Sequence, residues 1–220
     1  MGQGYFVTGT DTGVGKTTVS CALLRAFAAQ NHKVIGMKPI AAGVENGKWP
    51  DVEQLLTASN ISAARAHVNP YTFDPPVSPH IAAQQAGIEI DLAVIQRAYQ
   101  TLNSQADVVI VEGAGGFLVP LNAQQTGVDL ARALNLPVIL VVGMRLGCLN
   151  HALLTAQAIR AAGLTLAGWV ANGIDPQMLA EAENIATLEQ RLDGPLLGVM
   201  PFDPEMDMRK NAKLLNVVTL

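Results

Sequence analysis

The segment at residues 9–18, GTDTGVGKTT, constrains the fold more than any other part of the chain. It follows a short apolar run at residues 5–7 and precedes a helix-compatible run at 19–26, so it predicts a strand, a glycine-containing loop and a helix. Such a loop binds phosphate, because its backbone N–H groups and the helix N-terminus attract anions. Lys16 can reach the terminal phosphates of a nucleotide, and Thr17 can bind Mg²⁺.

The spacing within this loop is unusual. Gly9 and Gly15 enclose five residues, one more than in the common G-x-x-x-x-G-K loop. Because the strand and helix contexts are both present, the longer loop indicates a subgroup of the P-loop class.

Strand and helix patterns alternate along the rest of the chain. Apolar runs predict strands at residues 33–37, 108–111, 137–142, 166–172 and 195–201. Apolar positions at helical spacing predict helices at residues 89–102, 153–162 and 176–191. This alternation predicts one α/β domain over residues 1–220, with a mostly parallel sheet and helices on both faces, of the P-loop NTPase type.

The composition suits a packed enzyme domain. Of 220 residues, 50% are hydrophobic and 15% are charged, and the net charge of −4 without a long basic run argues against nucleic-acid binding. No apolar run reaches the roughly 18 residues of a membrane span, and the N-terminus has no leader pattern. Cys21 and Cys148 lack metal or redox spacing and are expected to be reduced packing residues. We therefore expect a cytoplasmic protein.

Polar residues follow several predicted strands at the edge where open α/β sheets bind ligands. Lys38 follows the strand at 33–37, Glu112 follows the buried strand at 108–111, and Asn172 ends a later strand. Glu112 stands next to glycines that let a ligand approach the backbone. The pattern predicts that these side chains and the phosphate loop share one edge.

Asp51 precedes a helical pattern with Val52 and Leu55, so it either caps that helix or binds magnesium. One or two carboxylates, a hydroxyl and phosphate oxygens form the normal environment of Mg²⁺. Asp51, Glu112 and Thr17 are therefore candidate magnesium ligands.

Two other segments leave alternatives open. Residues 69–80 contain four prolines, which predicts a rigid surface segment without a helix or central strand, either a functional loop or a plain connection. His80 in this segment fits a structural or exposed role better than that of a base. Asn150 can cap the helix that carries Leu153 and Ile159, and this helix start could also receive an anionic group.

Taken together, these segments resemble the dethiobiotin synthetase family. The similarity rests on residues 5–12 and 14–17, on Lys38-Pro39 and on residues 111–116, 146–151 and 168–172, in order along nearly the whole chain. It implies that 7,8-diaminopelargonic acid, CO₂ and ATP are converted into dethiobiotin, ADP and phosphate. An amine forms a carbamate, the carbamate oxygen attacks the γ-phosphate, and the second amine closes the ring. Cations must stabilise the developing negative charge in such a reaction.

The resemblance also implies roles for individual residues. Thr12, Lys16 and Lys38 would be catalytic, and Thr17, Asp51 and Glu112 would bind Mg²⁺. The ATP contacts would be Gly13, Val14, Gly15, Lys16, Thr17, Thr18, Asp51, Glu112, Gly113, Ala114, Gly115, Asn172, Gly173, Pro201, Phe202 and Asp203, with Asn172 and residues 201–203 around the adenine. The diamine contacts would be Lys38, Ala42, Gly147, Cys148, Leu149 and Asn150, the last four from the other subunit of a homodimer.

Two residues depart from the family pattern. Gly13 stands where an acid is common, and Ala42 stands where a small hydroxyl residue is usual. Because a hydroxyl at position 42 would hydrogen-bond the substrate or its carbamate, we expect a working but weaker synthetase.

Two alternative functions remain. Ala42 keeps open a related P-loop amidoligase that acts on another carboxylate or amine. A MinD/ParA-like ATPase switch would instead carry a lysine at the position of Asp11 and often an amphipathic tail, and residues 211–220 are short and weakly basic for an anchor.

Overall fold

Parallel strands form the main sheet of the protein. The computed structural model describes residues 2–204 and 211–220. Its strands are β1 Gln3–Gly9, β2 Val34–Met37, β3 Ile40–Ala42, β4 Tyr71–Phe73, β5 Val108–Gly116, β6 Val138–Met144, β7 Leu166–Gly173 and β8 Leu196–Met200. The main sheet has six strands in the order β2-β5-β1-β6-β7-β8, and each of its strand pairs is parallel. The remaining two strands, β3 and β4, form a small separate sheet.

Helices cover both faces of the main sheet. They are α1 Lys16–Ala29, α2 Pro50–Ala58, α3 Arg65–Val68, α4 Pro79–Ala86, α5 Leu92–Asn103, α6 Gly127–Leu134, α7 Cys148–Ala161 and α8 Glu181–Arg191. Side chains alternate along each strand, so Tyr5 and Val7 pack in the core cluster that contains residues of α1 and α2. Phe6 packs in the opposite cluster with residues of α5, α6, α7 and α8. The predicted α/β fold with helices on both faces is confirmed.

Four helices begin at other residues than the sequence patterns indicated. The helix predicted from residue 89, α5, begins at Leu92 with Asp91 as its N-cap, and for Asp51 the structure excludes only the capping alternative. The helix α2 begins at Pro50 with Trp49 as its N-cap, so Asp51 lies inside the first turn and does not cap it. The helix α7 begins at Cys148 after Gly147, whose φ of 96° lies in the left-handed region, so Asn150 is also not a cap. The helix α8 begins at Glu181, because Ala180 has a left-handed backbone with φ 56°.

The proline-rich segment at residues 69–80 contains regular structure at both ends. Its first part includes β4, which pairs with β3 outside the main sheet, and its end includes the first residues of α4. The prediction that this segment has no helix was therefore wrong at Pro79. Proline fits the first helical position, where a missing N–H removes no intrahelical hydrogen bond.

The C-terminal segment packs along the edge strand β8. The N–H of Asn216 donates to the carbonyl of Leu197 at 2.7 Å, and the side chains of Leu215 and Val217 are buried. The carbonyl oxygen of Leu214 lies 2.2 Å from where a Cβ would stand at Gly198. The tail therefore belongs to the core of the domain and covers part of a sheet edge.

Among the helices in the described residues, none combines the length and the apolar character that a bilayer crossing requires.

Candidate active site

The phosphate loop connects β1 to α1 at the carboxyl edge of the sheet. Gly15 is the N-cap of α1, with φ 84°, and no side chain caps the helix start in the described chain. A Cβ at Gly15 would lie 2.1 Å from Nδ2 of Asn172, and this nitrogen donates to the carbonyl of Val14 at 2.9 Å. Glycine is thus required both for its backbone conformation and for the close approach of β7. The uncapped helix start has the geometry that binds an anion.

Lys16 is buried at the base of this loop. Its Nζ donates to the backbone carbonyl of Asp11 at 2.9 Å. Burial and the neighbouring charge of Lys38 lower the pKa of Lys16 to about 8. A bound polyphosphate would favour the charged form, so the lysine is suited to pair with a nucleotide.

Lys38, Asp51 and Glu112 form a group of charges, here called the Lys38 cluster, in which the side chains of Lys38 and Glu112 are buried and that of Asp51 is 47% exposed. Nζ of Lys38 lies 2.6 Å from Oε1 of Glu112 and 2.9 Å from Oδ2 of Asp51. The contact between Lys38 and Glu112 follows from the sheet register. Because β2 pairs Met37 with Val111 of β5, the next residues, Lys38 and Glu112, lie side by side.

The charges within the Lys38 cluster stabilise one another. Burial disfavours the ammonium of Lys38, but Glu112 and Asp51 outweigh this effect and raise its pKa. Burial likewise disfavours the carboxylate of Asp51, yet Lys38 and the hydroxyl of Thr17 lower its pKa. Lys38 is therefore a cation, suited to electrostatic stabilisation rather than to proton abstraction.

The oxygen atoms around Thr17 fit a magnesium ion. The hydroxyl of Thr17 donates to Oε1 of Glu112 at 2.8 Å, and Oε2 of Glu112 is buried without a hydrogen-bond partner in the described residues. An orphaned buried carboxylate oxygen is costly unless a cation or donor reaches it. No group of three or more His, Cys, Asp or Glu side chains suited to a metal was found within residues 2–204 and 211–220, but Mg²⁺ commonly binds one or two carboxylates plus substrate phosphates.

Two cavities flank the phosphate loop. The first, here called the Lys38 cavity, has a volume of about 600 Å³ and is lined by Thr12, Lys38, Ile40, Ala42, Asp51, Pro76, Val77, Ser78, Pro79, Ile81, Ala114, Gly115 and Val119. The second, the Asn172 cavity, has a volume of about 220 Å³ and is lined by Gly13, Gly15, Thr18, Asn172, Gly173, Ile174, Pro201, Phe202, Asp203 and Asn211. The loop thus separates two spaces of different size and chemistry.

Most of the predicted site residues meet at this edge of the sheet. Thr12, Ala42 and Asp51 line the Lys38 cavity, whereas Asn172 and residues 201–203 line the Asn172 cavity. Residues 147–150 at the start of α7 are among the lining residues of neither cavity in the described chain. The side chain of Cys148 is buried, while that of Asn150 is exposed.

Sequence reasoning missed several residues of the site. Ser78 and Ile81 come from the proline-rich segment, whose composition left a functional loop open as one alternative. Val119 and Asn211 carry no local signal, because they reach the cavities through packing of distant segments.

Arg145 was also missed. Its Nη2 donates to Oδ2 of Asp11 at 2.7 Å, and the backbone N–H of Thr12 together with this guanidinium lowers the pKa of Asp11. The ion pair connects the residue after β6 with the phosphate loop.

Comparison with solved structures supports the nucleotide-binding fold. The chain is similar to the septum site-determining protein MinD of Pyrococcus horikoshii OT3, solved with Mg-ADP, with a TM-score of 0.61 and 18% identity, covering 96% of this chain and 85% of that one. It is also similar to the cell division ATPase MinD of Pyrococcus furiosus, with a TM-score of 0.58 and 21% identity, covering 97% and 88%. These similarities show the P-loop NTPase fold.

Comparison with protein sequences is more specific. A family model described as an AAA domain matches residues 3–210. The ATP-dependent dethiobiotin synthetase BioD of Nitrosospira multiformis is 64% identical over 220 residues, covering 100% of this chain and 97% of that one. The BioD proteins of Aromatoleum aromaticum, 56% identical over 90% of each chain, and of Xanthomonas oryzae pv. oryzae (strain PXO99A), 48% identical over 97% of each, also match. With its phosphate loop and Lys38 cluster, the chain therefore belongs to the family of ATP-dependent dethiobiotin synthetases.

Proposed function

We propose that the protein converts 7,8-diaminopelargonic acid, CO₂ and ATP into dethiobiotin, ADP and phosphate. The observation that carries this proposal is the position of Lys16 and Lys38 at a phosphate loop with a cavity on each side. One cavity suits a nucleotide base and the other suits a substrate that must meet the γ-phosphate. The full-length similarity to dethiobiotin synthetases supports this choice of substrate.

ATP would bind with its phosphates on residues 13–18 and its adenine in the Asn172 cavity. The glycine backbone of the loop and the uncapped start of α1 support phosphate binding. The amide of Asn172 and the backbone of Gly173 and residues 201–203 surround a space in which a flat base would be enclosed.

Thr17, Asp51 and Glu112 would hold Mg²⁺, and the orphaned Oε2 of Glu112 supports this assignment. When bound, the ion would neutralise charge on the β- and γ-phosphates. Because Lys38 contacts both carboxylates in the structure, it would exchange at least one of these contacts for the substrate.

The diamine would occupy the Lys38 cavity. Thr12 and Lys38 would bind the carbamate formed from one amine and CO₂, and apolar residues such as Ile40, Ile81 and Val119 would contact the alkyl chain. The carbamate oxygen would attack the γ-phosphorus, ADP would leave, and the second amine would attack the carbamic-phosphoric anhydride and expel phosphate. Lys16 and Lys38 would stabilise the negative charge of both steps.

A homodimer would complete the substrate site. We expect residues 147–150 of the second subunit to bind the substrate carboxylate, since these residues line neither cavity of their own described chain. Leu146 and Leu154, at the start of α7 and along it, are 96% and 57% exposed. Exposed apolar side chains often mark a protein contact. Their position beside residues 147–150 supports a contact between subunits at the start of α7.

The alternatives have less support. In a MinD/ParA-like switch the position of Asp11 carries lysine, whereas here its carboxylate pairs with Arg145, and the tail residues Leu215 and Val217 are buried in the domain. A related amidoligase acting on another amine or carboxylate remains the second candidate, because Ala42 offers only a methyl group to the substrate. We expect the enzyme to work in the cytoplasm, where the free and buried Cys21 and Cys148 would stay reduced.

A discontinuous assay with MgATP, labelled bicarbonate and 7,8-diaminopelargonic acid tests the proposal. Equal amounts of acid-stable label and ADP, both dependent on the diamine, are expected. Nucleotide binding without diamine-dependent turnover would contradict it and favour the amidoligase alternative, which a panel of amines and carboxylates would then identify.

A further inference from the structure

In the described residues, the side chain of Ser78 does not cap the helix that follows it. Ser78 is the N-cap residue of α4, a position where a serine side chain usually accepts a hydrogen bond from the helix start, but it makes no such bond. The residue is exposed and lines the Lys38 cavity. Its hydroxyl is therefore available to a ligand in that cavity.

The backbone around Ser78 holds this hydroxyl in place. The carbonyl of Ser78 accepts hydrogen bonds from the N–H groups of Ile81 and Ala82, both at 3.0 Å. Pro79 follows directly and restricts Ser78 to an extended backbone, which its φ of −57° and ψ of 143° match. Pro76 limits the freedom of the chain on the other side. Because the backbone is already fixed, ligand binding would cost little conformational entropy beyond that of the side-chain rotation of Ser78.

The surroundings of Ser78 define the group that it can bind. Among the described residues that line the Lys38 cavity, only Thr12 and Ser78 carry hydroxyls, and Ala42 contributes a methyl. The neighbours of Ser78 along the chain, Val77 and Pro79, are apolar. If the alkyl chain of a substrate lies along Val77 and Pro79, the hydroxyl of Ser78 is the uncharged polar group next to it.

We propose that Ser78 is a substrate-binding residue that hydrogen-bonds the ring-closing amine of the diamine, an inference that rests on the proposed function. The amine must be uncharged to act as a nucleophile, and a hydroxyl suits this state because it can donate to the nitrogen or accept from its N–H. A carboxylate in the same place would instead favour the unreactive ammonium. Thr12 and Lys38 are left for the carbamate end.

In the ring-closing step, the amine nitrogen forms a bond to the carbonyl carbon of the anhydride. The bond from that carbon to the phosphate oxygen breaks, phosphate leaves with the electron pair, and the nitrogen loses one proton to the departing phosphate. Ser78 orients the nitrogen before this attack, so it determines which amines are accepted.

The test compares Ser78→Ala with the wild type by calorimetric titration of the protein loaded with Mg²⁺ and a non-hydrolysable ATP analogue. The titrants are 7,8-diaminopelargonic acid and its two monoamine analogues, which lack either the 7-amino or the 8-amino group. Ser78→Ala should bind the diamine about three- to tenfold more weakly and should lose the wild-type preference for the diamine over one of the two monoamines. Binding of the ATP analogue and the urea midpoint of unfolding should not change.

Two further variants separate binding from folding. Ser78→Thr keeps a hydroxyl and should retain most of the affinity, and Ala42→Ser in the Ser78→Ala background should recover part of it. Ser62→Ala, at an exposed serine that lines neither cavity, should match the wild type in all titrations.

Wild-type affinity for the diamine in Ser78→Ala would overturn the inference. An equal loss of affinity for the diamine and both monoamines would also overturn it, since that result indicates a general change of the cavity wall. A wild-type protein that neither binds nor turns over the diamine would overturn the proposed function, and this inference with it.

Discussion

Lys38 shows how a single residue sets the electrostatics of this site. Lys38 is 4% exposed and Glu112 is 1% exposed, and buried charges persist only when they are paired. Lys38 serves as the counter-ion of both carboxylates that are proposed to bind magnesium. We therefore expect the lysine and the proposed metal to compete for the same oxygen atoms.

Replacing Lys38 by methionine should strengthen binding of Mn²⁺ in the absence of nucleotide, by about tenfold, because two carboxylates lose their internal cation. Free Mn²⁺ measured by electron paramagnetic resonance gives the affinity. Lys33→Met, at an exposed lysine outside the cluster, is the control and should leave the affinity unchanged. An unchanged or weaker affinity in Lys38→Met would show that Lys38 does not occupy the metal position.

Replacing Lys16 and replacing Lys38 should have different kinetic effects. Lys16→Ala should abolish ATP turnover, since it removes the charge at the terminal phosphates, with a loss of at least about 10³-fold. Lys38→Ala should leave nucleotide binding intact and remove product formation. Fluorescent-nucleotide titration and the diamine assay distinguish the two variants, and normal ring closure by Lys38→Ala would exclude the proposed role of Lys38.

At the scale of elements, contact between the phosphate loop and the end of β7 determines the shape of the nucleotide site. The side chain of Asn172, which lines the Asn172 cavity, donates a hydrogen bond from Nδ2 to the backbone carbonyl of Val14. This contact leaves no room for a side chain at Gly15. The conformation of the phosphate loop therefore depends on β7, which lies far from the loop in the sequence.

Gly15→Ala should reduce ATP affinity more than tenfold, because its Cβ would meet Nδ2 of Asn172 at 2.1 Å. Gly163 has a similar φ of 74°, and a Cβ there would meet nothing within 4 Å, so Gly163→Ala provides a matched control for backbone strain. The control should cost about 1 kcal/mol of stability without a change in ATP affinity. Equal ATP affinities in the two variants would contradict the steric explanation.

The C-terminal tail offers a matched pair of leucines. Leu215 is 7% exposed and Leu214 is 42% exposed. Leu215→Ala should lower the free energy of unfolding by about 2–3 kcal/mol, whereas Leu214→Ala should lower it by less than about 1 kcal/mol. Urea unfolding followed by circular dichroism measures both values. Similar losses in the two variants would mean that the tail does not pack on β8 as described.

At the scale of the whole molecule, all strands of the main sheet point their carboxyl ends to one edge. The phosphate loop after β1, Lys38 after β2, Glu112 within β5 and Asn172 within β7 thus meet although they are distant in sequence. Residues 147–150 lie at the same edge after β6 but line neither cavity of their own described chain. This arrangement is the basis for expecting that a second subunit completes the site.

Leu146→Asp should disrupt the proposed homodimer, because it places a charge on a side chain that is 96% exposed in the single chain. Sedimentation should show a monomer with intact ATP binding and at least about tenfold lower activity with the diamine. Leu179→Asp, at a side chain that is 87% exposed before α8, should remain dimeric and active. A wild-type protein that is monomeric and fully active would rule out the shared site.

Local patterns were sufficient for the fold class. Buried β-branched runs such as residues 108–111 predicted parallel strands, and the loop predicted the P-loop fold, both as found. Helix starts were predicted less well. Asp51 and Asn150 can cap a helix by their chemistry, but Pro50 and the left-handed Gly147 determine where α2 and α7 begin.

The sequence by itself determined the alternation of strands and helices, the phosphate loop and the position of Lys38 after a strand. These features depend on neighbours within a few positions, where backbone preferences and side-chain periodicity act. The strand end predicted before Glu112 was wrong, because β5 continues through Glu112 to Gly116. Only the tertiary structure decided that Lys38 pairs with Asp51 and Glu112, that the side chain of Asn172 lies against Gly15, and that Ser78 lines the Lys38 cavity. Those contacts arise from the strand order and from packing between distant segments, which no local pattern encodes.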